Sequence, residues 1–410
     1  MQQSPSLTFY LLVAAAMLGL VWLGWRLLNR WHPFYRQPQI RTLYWIVSAA
    51  CLAAIPLIRY LRPQDGSYGL LFHIATYGVY IWLIGVIALL PVMAVLGGGR
   101  LMRRRLQPTA PEAGQSAMDR RTFLRKATVS LPLAAWGISA GGIVVGDNYI
   151  AAQRYTLAYE GLPAELDGFK VAQISDTHIG PFFDMAKMDR VLAMTAAEKP
   201  DVLVITGDLI DDLNLLAPAM ERLSRFAPDV PKGVYFCWGN HEYFRGVSTI
   251  RRALEATPVQ LLHNSNRQIT NGVRPAFLLG VDYPWAKKGD DQQTVRQAFF
   301  RQAISGVPDN AFCLLLAHHP GFIDDGFDNN IPLTLTGHTH GGQVALGGYP
   351  LLPLQYKYMR GFYERGGHYG YVSLGTGHWL PFRLGSPAEV AFFNFKPASP
   401  QFSAGIWPNR

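Results

Sequence analysis

The segment ISDTHIG, residues 174–180, closes an apolar run, Phe169 to Ser175, with an aspartate and a histidine two positions apart. In extended chain a two-residue step points both side chains the same way, so Asp176 and His178 share one side at the end of a strand. Later segments repeat the arrangement. TGDLIDD (206–212) carries Asp208, WGNHE (238–242) carries Asn240 and His241, LAHHP (316–320) carries His318 and His319, and TGHTHGGQ (336–343) carries His338 and His340. Each follows a short apolar run. The intervals from 176 to 208 and from 208 to 240 are identical, each about the length of one strand-helix-strand unit. Successive strands therefore bring these side chains to one edge of a sheet. One such fragment is no more than a turn or a helix cap; all of them in order form a metal-ligand set.

The surrounding sequence fits that reading. Strands are predicted over Arg154 to Tyr159, Phe169 to Ser175, Asp201 to Thr206, Gly233 to Trp238, Pro275 to Val281, Phe312 to Ala317 and Pro332 to Thr336. Helical patterns fall between several of them, at Met185 to Glu198, Leu215 to Phe226, Ser248 to Ala256 and Thr294 to Ile304. Alternating strands and helices predict an α/β domain with a layered sheet, and sites in such sheets collect where strands end.

On these motifs, residues 152–396 resemble the calcineurin-like metallophosphoesterase family. The resemblance implies a four-layer αββα fold and a two-metal site. Asp176 and His178 match the family's D-x-H, Asp208 its G-D, Asn240 and His241 its G-N-H-E, His318 its lone ligand histidine, and His338 and His340 its G-H-x-H. It implies one metal on Asp176, His178, Asp208 and His340, and a second sharing Asp208 and adding Asn240, His318 and His338. His241 is the catalytic, non-ligand participant, bonding a phosphoryl oxygen or protonating the leaving oxygen. His318 is preferred over His319 because the family histidine stands two residues before this proline. Glu242 and Asp211 are expected as outer supports or as solvent-facing residues.

Physical chemistry supports this set independently. Two divalent ions outweigh two carboxylates and a bridging hydroxide, so the pocket stays cationic and suits a phosphate anion. Mixed imidazole, carboxylate and amide donors favour manganese, iron or zinc over calcium or magnesium, which prefer oxygen alone. Such a pair holds both a hydroxide and the substrate oxygens for in-line attack on phosphorus. The expected reaction is hydrolysis of phosphodiester or pyrophosphate bonds.

Ahead of this domain the composition changes. Of the 410 residues, 49% are hydrophobic and 16% charged, which is apolar for a soluble protein. Apolar runs at Thr8 to Trp25, Thr42 to Ile58 and Tyr68 to Leu96 have the length of membrane-crossing helices, the last with a potential kink at Pro91. Arginines cluster after the first run (Arg26, Arg30, Arg36, Arg41) and after the third (Arg100 to Lys126), whereas Arg59, Arg62 and Asp65 are the charged residues of the loop between the second and third. By the positive-inside rule the amino terminus and everything after Asp147 face outward. Expected organisation is a three-helix transmembrane region, 1–98; a basic cytoplasmic loop, 99–126; a fourth crossing or signal-like segment, 127–147; the phosphoesterase domain; and a tail, 397–410.

The stretch DRRTFLRK, residues 119–126, resembles a bacterial twin-arginine export signal. Expected location is a bacterial inner membrane with the catalytic domain in the periplasm. The formal charge of +9 is locally placed around that loop, so it reads as topology, and no nucleic-acid partner is expected; the partners expected are the bilayer and a phosphate ester that can be lipid-linked. Cys51, Cys237 and Cys313 show no paired spacing and read as buried thiols.

The segments LPAELDGFKVAQISDTH (162–178) and YVSLGTGHWLPFRLGSPAEV (371–390) are similar to a membrane-associated or exported bacterial branch of the family. That branch implies phosphodiester cleavage and, in some members, hydrolysis of UDP-2,3-diacylglucosamine in lipid A synthesis. That substrate is made in the cytoplasm, opposite to the side the arginines indicate. A non-catalytic membrane sensor or scaffold that keeps the fold is the rival class. His378 and Trp379 are expected in a packed aromatic turn that can border the pocket.

Overall fold

The computed structural model describes residues 7–60, 66, 68–106, 128–286, 291–351, 356–378, 380–399 and 405–408. The chain forms two compact units, Met1–Pro63 with Ser67–Val145, and Gln64–Gly66 with Gly146–Arg410. The twin-arginine stretch and its loop, 107–127, lie outside the described residues, as does Trp379.

The first unit is helical: α1 (Leu7–Trp31), α2 (Pro38–Tyr60), α3 (Leu70–Leu106) and α4 (Ala134–Asn148), whose last turn belongs to the second unit. Among the described residues, the segments long and apolar enough to cross a membrane are Pro38–Ile55, Leu70–Gly99 and Thr128–Asn148. The run expected as the first crossing lies within α1, which has 25 residues. Helix α3 runs on through Pro91 and past its apolar stretch to Leu106. Leu12, Trp22, Leu43, Ile46, Leu71, Ile74 and Val95 stand exposed while Val21, Leu28, Val86 and Leu89 are buried. A surface helix of a globular protein carries polar residues on its outer face; these helices have apolar surface on both sides. Some of their polar groups close on backbone: Tyr44 donates to the Val21 carbonyl at 2.8 Å and Ser139 to that of Ile81 at 3.0 Å.

In the second unit the strands are β1 (Ile150–Tyr159), β2 (Lys170–Ile174), β3 (Val202–Thr206), β4 (Val234–Cys237), β5 (Gln260–Leu261), β6 (Ser265–Thr270), β7 (Ala276–Gly280), β8 (Phe312–Leu316), β9 (Leu333–Thr336), β10 (Ala345–Leu346), β11 (Tyr349–Pro350), β12 (Gly361–Arg365), β13 (His368–Val372), β14 (Ala388–Pro397) and β15 (Gly405–Pro408). One mixed sheet runs β15-β1-β14-β2-β3-β4-β5, another β12-β13-β9-β8-β7-β6, and β10 and β11 pair as a hairpin. Helices α5 (Met185–Glu198), α6 (Leu216–Phe226), α7 (Asn240–Arg245), α8 (Val247–Glu255), α9 (Gln292–Ala303) and α10 (Phe322–Asp328) complete it.

Alternation along the strands builds the layers. Val171, Val202, Val204 and Phe393 of the first sheet pack with Leu278, Leu314, Leu316 and Tyr371 of the second in one core. The alternate residues of β7 and β8, Phe277, Leu279, Cys313 and Leu315, pack instead with Phe300 and Ala303 of α9 and Phe322 of α10. Both faces are covered, which explains why these strands read as unbroken apolar runs. The α/β metallophosphoesterase fold with a preceding helical region is therefore present as expected, and all three cysteines are buried free thiols.

The sequence did not announce β5, β6, β12 or β13. Polar residues punctuate β6 and β12, which lie at the edges of their sheet, so no apolar run marks them. Strand β14 sits between β1 and β2, parallel to the first and antiparallel to the second, a pairing between distant segments that local pattern does not encode.

Candidate metal centre

The carboxyl ends of β2, β3 and β4 in one sheet and of β8 and β9 in the other converge, and the motif residues follow directly from them. A buried amide links the edges: Gln173 Nε2 donates to Thr206 Oγ1 at 2.9 Å in its own sheet and to the Thr336 carbonyl at 3.0 Å in the other. Left-handed backbone marks the turns, with φ of 53° at Asp176, 48° at His178, 53° at Asp208, 76° at His338 and 50° at His340. Non-glycine residues reach this region at a cost of about 1–3 kcal/mol each and persist where surrounding structure enforces them.

Donor atoms gather in overlapping groups: Asp176, His178 and His340; His178, Asp208 and His241; and Asp208, His318 and His338. His178 Nε2 lies 3.1 Å from His340 Nε2, and His318 Nε2 lies 3.1 Å from His338 Nδ1. Ligands about 2.1 Å from one ion, roughly a right angle or a tetrahedral angle apart, are separated by about 3.0–3.4 Å, so both imidazole pairs have the spacing of atoms sharing a cation. Asp208 stands between them, its Oδ2 being 3.2 Å from His318 Nε2 and 3.7 Å from His178 Nε2. Asp176 Oδ1 is 3.5 Å from His340 Nε2.

Several donors are backed by a neighbouring group that sets their direction. His318 Nδ1 meets the Thr206 carbonyl at 2.7 Å, leaving Nε2 for the cluster. His178 Nδ1 lies 3.3 Å from Asp211 Oδ2, and His338 Nε2 lies 2.6 Å from the Tyr356 hydroxyl. Asp176 accepts the backbone N–H of His338 at 3.0 Å, and Asp208 accepts that of His241 at 2.8 Å. Gly239 leaves room for the last contact: a Cβ there would come within 2.2 Å of Asp208 Oδ1, and one at Gly207 within 2.7 Å of His318 Nδ1.

Electrostatics point the same way. Burial opposes ionisation of Asp208, yet the neighbouring His318 and His178 hold its carboxyl far below the usual range. Burial likewise opposes charge on His318, and Asp208 and Asp176 overcome it, pushing the imidazolium up to about 10. Burial first, then the charge of His178, pushes His340 well below its ordinary value. Buried carboxylates thus face imidazoles of which some stay neutral, an arrangement that a cation completes. Asn240 Oδ1 is buried with no hydrogen-bond partner; a buried amide oxygen without a donor is costly, and a metal ion would satisfy it. These residues fit a pair of divalent ions.

Of the two places the sequence left open for Glu242 and Asp211, outer support or solvent-facing, both take the first. Glu242 does not face solvent: fully buried, its carboxylate accepts the N–H groups of Asp208 at 3.0 Å, Leu209 at 2.7 Å and Gly239 at 2.8 Å. Asp211 is also turned inward, accepting from His241 Nδ1 at 2.7 Å and Arg245 Nε at 3.2 Å. His241 is partly exposed beside His178, their ring centroids 4.4 Å apart. His319 belongs to none of the donor groups; its Nδ1 accepts the N–H of Gly321 at 3.0 Å, and burial, with Arg296 nearby, lowers its pKa to about 3. His378 is buried against Phe182, and its Nε2 is 3.3 Å from Asp147 Oδ1.

Other neighbours were not anticipated. Tyr283 packs 5.5 Å from the His338 ring, and buried Arg383 donates to the carbonyls of Leu374 at 2.8 Å and Ser386 at 2.9 Å while its Nη2 lies 3.1 Å from His340 Nδ1. The one signal for Arg383 was a cation within the largely apolar stretch LPFRLG; for Tyr283 and Tyr356 there was none.

Residues 169–342 match the family described as calcineurin-like phosphoesterase. A "Transmembrane protein with metallophosphoesterase domain" from Danio rerio is 29% identical over 348 residues, 80% of this chain and 74% of that protein. An uncharacterized metallophosphoesterase from Bacillus subtilis (strain 168), YkuE, is 28% identical over 68% of this chain and 98% of its own length. One from Aquifex aeolicus (strain VF5) is 30% identical over 256 residues, 60% of this chain and 92% of its own length. With its motifs assembled at the strand ends of this fold, the chain belongs to the calcineurin-like metallophosphoesterase family.

Proposed function

We propose that the protein is a membrane-anchored dimetal phosphoesterase that hydrolyses phosphodiester or pyrophosphate bonds. The observation that carries this reading is Asp208, buried between two sets of donors with an orphaned Asn240 oxygen beside them. Asp176, His178, Asp208 and His340 would hold one ion, and Asp208, Asn240, His318 and His338 the other. The donor chemistry favours manganese, iron or zinc. When bound, such a pair supplies Lewis acidity toward the phosphoryl oxygens and lowers the pKa of water.

The chain's own residues orient and transfer. Asp211 holds His241 through Nδ1, so Nε2 is the nitrogen left to bond a phosphoryl oxygen or to give a proton to the leaving oxygen. Glu242 fixes the two loops that carry Asp208 and Asn240. Arginine placement favours an extracytoplasmic domain in a bacterial inner membrane, with DRRTFLRK as an export signal or a helix anchor.

The test is turnover by full-length protein in detergent, with manganese, iron or zinc added, of bis(p-nitrophenyl) phosphate, nucleotide sugars including UDP-2,3-diacylglucosamine, and phospholipids. Diester cleavage that disappears in Asp208→Ala supports the reading; a protein that binds metal and cleaves none of them is a sensor or scaffold instead. Protease added to spheroplasts decides the side: digestion of the domain after Asp147 supports an external domain, its protection until the membrane is opened a cytoplasmic one.

A further inference from the structure

The hairpin β10–β11 leaves the metal cluster only four residues after His340 and exposes apolar side chains. Leu346 is 72% exposed, Tyr349 78%, Leu351 53% and neighbouring Leu384 40%. Gly347 and Gly348 form the tip with φ of 58° and 89°, so nothing polar crowns it. Together these side chains give the hairpin an apolar surface, and exposed apolar surfaces mark interaction sites.

What covers it follows from where it sits. Leu384 accepts the N–H of Ala345 at 2.7 Å and donates to the Gln343 carbonyl at 2.9 Å. Its neighbour Arg383 touches Gly146, where an added Cβ would come within 2.9 Å of the Arg383 backbone nitrogen. Gly146 belongs to this same unit and lies in the last turn of the candidate span Thr128–Asn148. By residue and strand spacings, the hairpin tip is within roughly 20 Å of the end of that helix. A membrane helix ends at the headgroup layer, and tyrosine beside leucine is the composition that settles there.

We propose that the Leu346–Leu351 hairpin, with Leu384, docks into the lipid interface and holds the mouth of the metal site against the bilayer. The occupant is lipid, and the substrate class this favours is a phosphoester that carries apolar chains and is taken from the membrane plane. The proposal rests on reading Thr128–Asn148 as a membrane span, and the experiment separates the two.

Full-length protein in nanodiscs of phosphatidylcholine and phosphatidylglycerol is labelled with a polarity-sensitive fluorophore at one introduced cysteine, the native thiols being buried. Positions are Leu346→Cys, Ile138→Cys within the span, and Val273→Cys, 95% exposed before the opposite end of β7. Brominated lipids should quench position 138 strongly, and position 346 to about half that extent, as expected for a depth of about 5–10 Å; position 273 should respond to aqueous iodide alone. Quenching at 138 with position 346 behaving like 273 overturns the hairpin proposal. No lipid quenching at 138 overturns the span, and the hairpin proposal with it. Neither result depends on catalytic turnover, so a failure of the enzymatic reading stays distinguishable.

Discussion

The two sheets contribute unequal halves to the metal cluster. Strands β2, β3 and β4 deliver Asp176, His178, Asp208 and Asn240, a set that includes every carboxylate and the amide; β8 and β9 deliver His318, His338 and His340, imidazoles alone. Neither half is a site. The first concentrates negative charge in a buried place, and the second offers neutral rings with nothing to hold their protons. Only packing of the sheets interleaves them, placing His340 with Asp176 and His178, and His318 and His338 with Asp208. The donor cluster is a property of the sheet–sheet core.

Asp208 is where this asymmetry breaks most completely. Asp208→Ala should reduce kcat by more than about 1,000-fold, beyond the 10–100-fold typical of an outer partner, and should remove metal from both positions by elemental analysis. Retention of one tightly held ion at full occupancy would mean that Asp208 serves only one half. Glu242→Ala comes next: three buried N–H groups lose their acceptor, at about 1–3 kcal/mol each. Thermal unfolding should show a clear fall in Tm even with metal present, and an unchanged Tm would make Glu242 a bystander. Asp211→Asn keeps the volume but weakens its hold on His178 and His241, and activity should drop about 10–100-fold with Tm nearly constant; activity within twofold of wild type would contradict the orienting role.

Proton linkage sharpens the same comparison. In metal-free protein His318 carries a proton up to about 10, because Asp208 and Asp176 overcome the burial that disfavours its charge. Its raised pKa stabilises the metal-free fold below the ordinary imidazole range, and this contribution fades as pH rises through about 10. Metal must displace that proton, so affinity should fall as pH is lowered. Titration calorimetry in buffers of different ionisation enthalpy should show proton release; identical heats would refute it. The smallest effect is expected from His319→Asn, which retains an acceptor for the Gly321 N–H and changes no donor group. Its kcat/KM should stay within about threefold of wild type, well short of a partner's effect.

Much of the site was legible because its residues are tied to local pattern. Apolar runs ending in Asp-x-His or Gly-Asp put ligands at strand ends, and equal spacing along β2, β3 and β4 brought them to one edge. The supports were half legible, Asp211 and Glu242 being readable as outer supports or as solvent-facing acids, since a support is defined by what it faces. Asp211 and Glu242 look like any surface acids near a turn, and only the folded backbone turns them inward. Arg383 and Tyr356 are distant in sequence from the histidines they approach.

Sequence alone determined the order of ligands, the α/β alternation and the apolar amino-terminal helices, because periodicity and residue chemistry are written locally. Tertiary structure decided the inward turn of Glu242 and Asp211, the approach of Tyr356 and Arg383 to His338 and His340, and the place of β14 between β1 and β2. These depend on contacts between segments whose separation along the chain carries no record of their meeting.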